Sequence, residues 1–245
     1  MNFQKYAKYY DLFYNDKNYS KEIKNIHKII KLDKKDQILE VGCGTGKHTE
    51  IISSYVTHID AIDKSKKMIL EAKKKNNKKN IKFFNLDLLN LKNNKQYDKI
   101  IMLFHVFSYF VNNNSLRKIF IKLDKILKPK GKIIFDYWNQ DNVNKYGLKD
   151  SFKIKSYKNF LIERVGKVKK ISKNRYSIKF IFNLIKNKKI KESFSETHVM
   201  RTFNIKSIIQ YSKKNFKLRK SFSINSKKKL SQKDFSACII LEKNK

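Results

Sequence analysis

The feature that most constrains this chain is a cluster of glycines, because three of its six glycines lie close together at Gly42, Gly44 and Gly46. They follow a short apolar run at 37–41 and precede a run with helical apolar spacing at 47–55. Glycines at such a junction let the backbone turn tightly and let a ligand approach it closely. The spacing is G-x-G-x-G, which differs from the G-x-G-x-x-G of dinucleotide-binding sites. This concentration favours a ligand-binding strand–loop–helix unit over an ordinary tight turn.

Apolar runs and segments of helical spacing alternate along the first half of the chain. The predicted strands are 37–41, 57–62, 81–84, 99–106 and 132–135, and the predicted helices are 5–30, 47–55, 65–75 and 115–127. This alternation is typical of a parallel, doubly wound sheet. We therefore predict an α/β fold built on a Rossmann-like sheet.

The pattern changes after Tyr137, where three strand-like runs follow one another with only short polar turns between them. These runs are 160–171, 176–185 and 190–201. Because short turns join antiparallel neighbours, we predict an antiparallel β insertion. A helix at 204–215 and a closing strand pair at 216–224 and 235–241 complete the predicted fold.

Acidic residues follow the predicted strands at the edge where the glycines lie. Glu40 lies two residues before Gly42, and a carboxylate there suits a cationic ligand better than a pyrophosphate. Asp63 lies 17 residues after Gly46, at the end of the second strand, where an acidic side chain accepts hydrogen bonds from ribose hydroxyls. Asp87 follows the third strand and would pair with an exocyclic amine of the ligand's base. The alternatives are that Asp63 caps the next helix and that Asp87 caps its own loop.

Together these residues resemble the class I S-adenosylmethionine-dependent methyltransferases. The resemblance covers roughly residues 30–136 and the last forty residues of the chain. The Leu127-Lys-Pro-Lys-Gly131 turn is similar to the Leu-Lys-Pro-Gly-Gly turn of that family. The resemblance implies S-adenosylmethionine as cofactor, with the glycines around its methionine part, Asp63 at the ribose and Asp87 at the adenine. The implied cofactor-binding residues are Glu40, Gly42, Cys43, Gly44, Gly46, Asp63, Met68, Asp87, Leu88, Leu103 and Phe104.

Further motifs resemble a narrower group, the N-methyltransferases that act on small molecules such as nucleotide-linked amino sugars. They are Tyr10-Asp-Leu-Phe-Tyr14, Leu103-Phe-His-Val-Phe-Ser-Tyr109, Phe135-Asp-Tyr-Trp138 and Glu196-Thr-His-Val-Met-Arg201. In that group an aromatic N-terminal segment folds over the cofactor, and the antiparallel insertion covers the substrate. The resemblance implies Tyr14 and His105 as catalytic residues and Tyr10, His198 and Arg201 as substrate-binding residues. The alternatives are aromatic packing for the tyrosines, a satisfied histidine beside a buried strand for His105, and an exposed strand face for His198 and Arg201.

The predicted domain organisation follows from these resemblances. Residues 1–30 form an N-terminal helical cap, residues 31–136 and 204–245 form the Rossmann-like cofactor-binding core, and residues 137–203 form an antiparallel lid over the substrate.

The net charge of +37 raises the possibility of a nucleic-acid partner. Only five of the 58 basic residues are Arg, whereas nucleic-acid sites usually recruit Arg for its planar fork. Lys, Ile and Asn are all enriched and share A/T-only codons, so composition drift in an A/T-rich genome explains much of the charge. We therefore expect a small-molecule substrate ahead of a nucleic acid.

Other features limit the location and the partners of the chain. The longest nearly pure apolar run, 100–107, is far shorter than the roughly 20 residues of a membrane helix, and the N-terminus lacks a signal-peptide pattern. Two cysteines, Cys43 and Cys238, imply no disulfide framework. We predict a cytoplasmic protein without a membrane partner. The sequence gives no oligomeric state, and a homodimer is compatible with it.

Two other functions compete with a small-molecule methyltransferase. An RNA methyltransferase would use the same cofactor, but enzymes that methylate base amines commonly carry an Asn/Asp-Pro-Pro-aromatic motif after the fourth strand. Leu103-Phe-His-Val106 stands there, and the single proline is Pro129. A non-enzymatic cofactor-binding protein is the third possibility. No metal is expected, because methyl transfer from a sulfonium needs none and the remaining histidines lack metal-ligand spacing.

Overall fold

The first half of the chain folds as a parallel sheet in the computed structural model, which describes residues 3–224 and 228–244. The strands are β1 (Gln37–Val41), β2 (His58–Asp63), β3 (Ile81–Asn85), β4 (Tyr97–Met102) and β5 (Leu127–Asn139). They are all parallel and lie in the order β3-β2-β1-β4-β5. Because the order reverses between β1 and β4, the carboxyl ends of these two strands form the crevice in which such sheets bind ligands.

Helices cover both faces of this sheet. They are α2 (Tyr19–Ile30), α3 (Lys47–Ile52), α4 (Lys66–Lys75) and α5 (Asn113–Ile126), whereas the short α1 (Tyr10–Phe13) packs against the antiparallel insertion. Successive strand residues face opposite sides of a sheet. In β1, Leu39 therefore belongs to the core that contains Leu123 of α5, whereas Ile38 belongs to the core that contains Ile26 of α2. This two-sided burial fixes the register of β1 and so the position of the glycines that follow it.

The insertion is an antiparallel sheet attached to the end of β5. After α6 (Gln140–Tyr146), the strands β6 (Ser151–Tyr157), β7 (Phe160–Ser172), β8 (Arg175–Lys186) and β9 (Lys189–Phe203) pair in sequence order. The end of β9 pairs in parallel with the end of β5, where Trp138 lies opposite Thr202. The insertion is thereby anchored at the carboxyl edge of the parallel sheet.

The chain returns to the parallel sheet through α7 (Ile205–Ser212). The last two strands, β10 (Phe216–Ser223) and β11 (Ser236–Lys243), form an antiparallel pair, and β11 adds to the free side of β5. These two strands confirm the predicted closing strand pair. Residues 225–227 and 245 lie outside the described part of the chain.

The structure confirms the predicted α/β fold and corrects three details. The predicted helix at 5–30 is interrupted: a 3-10 turn (Tyr6–Tyr9) leads into α1, and α2 begins anew after Asn18, whose side chain accepts a hydrogen bond from the Lys21 N–H at 2.8 Å. The fourth strand ends at Met102, four residues early, because Phe104 and His105 leave the extended conformation. The elements α6 and β6 were not predicted.

No helix in the described part of the chain is both long enough and apolar enough to cross a membrane.

Candidate active site

A cavity of about 690 Å³ lies at the carboxyl ends of β1, β2 and β4. The N-terminal segment contributes Tyr10 and Tyr14 to its walls, and the insertion contributes Phe180, His198 and Met200. The volume falls within the range of ligand pockets, roughly 300–1,000 Å³. Three parts of the sequence therefore close over one small-molecule-sized space.

The glycine loop forms one wall of this cavity. Gly42 has φ +71°, and a Cβ built on it would lie 2.5 Å from Cγ2 of Val106. Gly44 has φ +55°, but a Cβ there would meet nothing within 4 Å. The first glycine is thus required by the protein's own packing, whereas the second leaves the backbone open to a ligand.

Asp63 ends β2 beside this loop. Its Oδ2 accepts the Gly44 N–H at 2.9 Å and its Oδ1 accepts the Ser65 N–H at 2.8 Å. The helix-cap alternative for Asp63 is wrong, because the hydroxyl of Ser65 caps α4 by accepting the Met68 N–H. Burial raises the pKa of Asp63, and the two backbone donors offset this only in part. The carboxylate keeps lone pairs for further donors, so it fits the paired hydroxyls of a ribose.

Asp87 lies on the cavity wall beyond Asp63. Burial raises the pKa of its carboxyl, but hydrogen bonds from Lys64 and the Leu89 N–H outweigh this and lower it overall. Its Oδ1 accepts that N–H at 3.0 Å, so the loop-cap role is present and does not remove the residue from the cavity. The neighbouring walls are apolar and suit a flat ring; they are formed by Met68, Leu86, Leu88, Leu103, Val106 and Ile119.

The segment after β4 carries local backbone strain. Phe104 and His105 adopt φ values of 64° and 65°, in the left-handed region that non-glycine residues rarely enter. The His105 N–H donates to Oδ1 of Asp136 at 2.8 Å, which holds this conformation. Both side chains line the cavity. Strain of this kind, maintained by a buried partner, is typical of functional sites.

Tyr6 and Tyr14 are held in place by an arginine that the sequence did not single out. The Nη1 of Arg164, on β7, donates to the hydroxyl of Tyr6 at 2.8 Å and to that of Tyr14 at 3.3 Å. The ring centroid of Tyr14 lies 4.8 Å from that of Tyr10 and 4.9 Å from that of Phe104. Arg164 is buried, so its guanidinium and the hydroxyls of Tyr6 and Tyr14 form a hydrogen-bonded cluster shielded from solvent. Nothing in the local sequence distinguishes this arginine.

Polar contacts tie the N-terminal segment to its surroundings. The carboxylate of Glu196 on β9 accepts the backbone N–H groups of Phe3, Gln4 and Tyr6. Asp11 accepts from the Thr45 hydroxyl in the glycine loop and forms an ion pair with Lys75 at 2.7 Å. The segment therefore bridges the insertion and the glycine loop across the cavity.

His198 and Arg201 on β9 have different surroundings. His198 lines the cavity, and its Nδ1 is 2.8 Å from the Tyr109 hydroxyl. Burial lowers the pKa of His198 to about 4, so its imidazole is neutral at pH 7. Arg201 does not line the cavity; it donates to Asn113 Oδ1 at 2.9 Å. The exposed-face alternative is wrong for both, since both side chains are buried.

Two further predicted cofactor residues lie away from the cavity wall. Gly46 is buried and is the N-cap residue of α3, with φ +80°. Glu40 is buried beneath the glycine loop, and its Oε2 accepts the Thr49 hydroxyl. The remaining predicted residues, including Cys43 and Leu88, line the cavity. The structure brings together Gly42, Cys43, Gly44, Asp63, Met68, Asp87, Leu88, Leu103, Phe104, Tyr10, Tyr14, His105 and His198.

The burial of Glu40 makes folding stability depend on pH. Burial raises its pKa from 4.5 to about 8, which the Thr49 hydrogen bond partly offsets and the charge of Asp63 reinforces. Between pH 4.5 and 8 the native state keeps a proton that the unfolded chain loses. The contribution of Glu40 to the free energy of unfolding should therefore fall as pH rises through that window.

We expect Glu40→Gln to remove this part of the pH dependence. The amide keeps the shape of the protonated acid, so the wild-type and variant curves should diverge with pH, by at most about 1.4 kcal/mol per pH unit. Urea unfolding at pH 5, 6.5 and 8 measures this, with the exposed Glu50→Gln as control. Parallel curves for wild type and Glu40→Gln would show that Glu40 ionises normally.

Comparison with known proteins relates part of this geometry to a methyltransferase domain. A family model described as a methyltransferase domain matches residues 38–131. An uncharacterized protein of Methanocaldococcus jannaschii is 31% identical over 173 residues, covering 69% of this chain and 63% of that protein. The malonyl-(acyl-carrier protein) O-methyltransferase of Bacillus anthracis is 36% identical over 107 residues, covering 43% of this chain and 38% of that enzyme. The chain thus spans less than two thirds of the length of these curated relatives.

Solved structures share the whole fold. An S-adenosylmethionine-dependent methyltransferase from Clostridium acetobutylicum has a TM-score of 0.79 at 22% identity, covering 98% of both chains. The sugar N-methyltransferase of a Streptoalloteichus species has a TM-score of 0.78 at 13% identity, covering 96% of this chain and 93% of that one. At these identities the likeness is one of fold, and it includes the antiparallel insertion. The matched methyltransferase domain contains the strands and loops that build the glycine and acidic walls of the cavity. The chain therefore carries a methyltransferase domain at residues 38–131 and has the fold of S-adenosylmethionine-dependent methyltransferases.

Proposed function

We propose that this protein methylates an amine of a small-molecule acceptor, such as a nucleotide-linked amino sugar. The observation that carries the proposal is the enclosure of one cavity by the N-terminal segment, the glycine loop and the insertion. A space of about 690 Å³ holds a cofactor and a compact acceptor, whereas a folded RNA would need an open surface. The sugar N-methyltransferase fold described above supports the same acceptor class.

The residues fit S-adenosylmethionine. Asp63 would accept hydrogen bonds from the ribose, Asp87 would meet the adenine, and the open backbone at Gly44 would accommodate the methionine part. When bound, this cofactor supplies a methyl group already activated by a sulfonium. The protein's task is then to orient the acceptor and exclude water, and orientation alone can contribute about 7–11 kcal/mol.

A protonated amine has no lone pair, so its attack requires a proton acceptor or prior loss of the proton. His105 lies on the cavity wall and is suited to this role. Burial lowers its pKa below 6.5, although the nearby charge of Asp136 opposes the shift, so the imidazole is neutral at pH 7. A neutral imidazole can take the proton and release it after transfer.

A basic groove beside the cavity supports an anionic acceptor. The groove, of about 1,050 Å³, runs along the outer side of the N-terminal segment and shares Tyr14, Tyr19 and Lys47 with the cavity. More lysines than acidic residues line the groove. The lysines are Lys5, Lys8, Lys17, Lys47, Lys67, Lys74 and Lys75, and the acidic residues are Asp11, Glu71 and Glu192. A diphosphate attached to the acceptor would be attracted to this groove while the amine reaches His105.

The direct test is an acceptor panel analysed by mass spectrometry. We expect the full chain with S-adenosylmethionine to methylate nucleoside-diphosphate-linked amino sugars, and not the same sugars with a hydroxyl in place of the amine. Malonyl-(acyl-carrier protein) and tRNA serve as competing acceptors. Methylation of either one, without any amino-sugar product, would contradict the proposal.

Tyr14→Phe should separate acceptor orientation from cofactor binding. The variant keeps the ring that packs on Tyr10 and Phe104 but loses the hydroxyl that accepts from Arg164. We expect turnover to fall about tenfold, the equivalent of one hydrogen bond, with S-adenosylmethionine affinity nearly unchanged. Tyr146→Phe, at an exposed tyrosine of α6, is the matched control. Equal turnover in both variants would remove the Tyr14 hydroxyl from the reaction.

A further inference from the structure

His105 is joined to two residues that lie far away in sequence. Asp136, in β5, is buried, and its Oδ1 accepts the His105 backbone N–H at 2.8 Å. Ser236, the first residue of β11, lies between the two side chains. Its Oγ is 3.1 Å from Oδ2 of Asp136 and 3.1 Å from Nε2 of His105. The strand pairing of β11 with β5 places this serine beside the active site.

The proton count of this group determines the tautomer of His105. A serine hydroxyl has one proton to donate. Ser236 donates it to the carboxylate of Asp136, which as an anion can only accept. Toward His105 the serine oxygen is therefore an acceptor, so Nε2 must carry a proton. Oδ2 of Asp136, 3.6 Å from Nε2, favours the same arrangement.

We propose that Asp136, acting through Ser236, is a positioning residue that holds His105 in the Nε2-protonated form and leaves Nδ1 as the proton acceptor for the substrate. This rests on the proposed function, since it assigns the atom that receives the amine proton. Nδ1 has no hydrogen-bond partner within the described ranges, 3–224 and 228–244, and His105 lines the cavity.

The proton transfer is balanced without any further reactant. The N–H bond of the acceptor's ammonium breaks, and its proton goes to Nδ1 of His105. The electron pair stays on the amine nitrogen, where it is available for the methyl group. The resulting imidazolium lies beside the carboxylate of Asp136, whose negative charge stabilises it until the proton is released to solvent.

A purely structural role for Asp136 is the competing explanation. Its carboxylate holds the strained backbone of His105, so removing it entirely would disturb the loop in either case. The Asp136→Asn variant separates this structural role from the proposed role in setting the tautomer of His105. The backbone N–H of His105 requires an acceptor, so the amide oxygen should take that place and the amide NH2 should face Ser236. The serine hydroxyl would then turn and donate to Nε2, and His105 would carry its proton on Nδ1 instead.

The experiment is nuclear magnetic resonance of the full chain, labelled with ¹⁵N-histidine and bound to S-adenosylhomocysteine. The chain has five histidines, and His105→Gln identifies the signal of interest. We expect wild-type His105 to be protonated at Nε2 and the Asp136→Asn variant to be protonated at Nδ1. Asp141→Asn removes an exposed carboxylate from α6 and should leave the wild-type signal unchanged.

The result does not depend on knowing the acceptor, so it can fail or succeed separately from the proposed function. An unchanged tautomer in Asp136→Asn, or Nδ1 protonation in the wild type, would overturn the inference. Ser236→Ala, which leaves the Asp136–backbone contact intact, is the second variant. It should lose the wild-type His105 signal, and Ser236→Thr should restore that signal. With an acceptor in hand, Asp136→Asn should lower kcat by about a hundredfold or more, with little change in KM.

Discussion

Replacing Asp63 with alanine should weaken S-adenosylmethionine binding by about tenfold to a hundredfold. The carboxylate lies at the cavity wall with lone pairs free for the ribose hydroxyls, and hydrogen bonds to a charged group are worth about 1.5–3 kcal/mol. The same carboxylate orders the loop by accepting the Gly44 and Ser65 N–H groups, so the variant also loosens the cofactor's backbone contacts. Isothermal titration calorimetry with S-adenosylhomocysteine measures the effect.

The matched control for Asp63→Ala is Asp98→Ala. Asp98 likewise accepts a backbone N–H, from Gln37 at 2.8 Å, but it lies at the opposite end of the parallel sheet. We expect that variant to lose some stability and to keep its cofactor affinity. Equal affinities for Asp63→Ala and the wild type would mean that the ribose does not lie at the end of β2.

Gly42→Ala should be among the most damaging single-methyl changes in the protein. A left-handed conformation costs a non-glycine residue about 1–2 kcal/mol. The added Cβ would also lie 2.5 Å from Val106, and overpacking of this kind costs about 1–3 kcal/mol. We therefore expect the free energy of unfolding to fall by about 2–5 kcal/mol, as measured by urea unfolding. Cofactor affinity should fall as well, because Val106 lines the cavity.

The chain provides a close control for this change. Gly44 also has a positive φ, +55°, but a Cβ there would meet nothing within 4 Å. Gly44→Ala should therefore lose only the backbone contribution of about 1–2 kcal/mol to the free energy of unfolding. If the free energy of unfolding fell equally in the two variants, the contact between Gly42 and Val106 would make no contribution to stability.

The fold was predictable where burial imposes a regular period. The apolar run at 37–41 coincides with β1, and the three predicted strands of the insertion coincide with β7, β8 and β9 to within a few residues. The strand β6 was missed because it is a largely exposed edge strand, so its Phe-Lys-Ile-Lys alternation has no buried face to reveal it. The break between α1 and α2 was missed because Asn18 acts through a local cap, which resembles any polar helix residue in sequence.

The candidate site was predictable where its residues form contiguous motifs. The glycines with Asp63 have a characteristic spacing, and His105 and Tyr14 lie within recognisable segments. The roles of Arg164, Glu196 and Ser236 were not predicted, because each acts on a residue roughly 100 positions or more away. Only the pairing of strands β5, β7, β9 and β11 brings these side chains next to the residues around the cavity. The net charge of +37 did not indicate where the site lies, since lysines occur throughout the chain.

The central claim is that the crevice between β1 and β4 is an S-adenosylmethionine site and not a dinucleotide site. Calorimetric titration of the full chain with S-adenosylmethionine, S-adenosylhomocysteine and NAD tests it most directly. The account predicts that the first two bind with one molecule per chain, that Asp63→Ala weakens both, and that NAD does not compete. Tighter binding of NAD than of S-adenosylmethionine would contradict it.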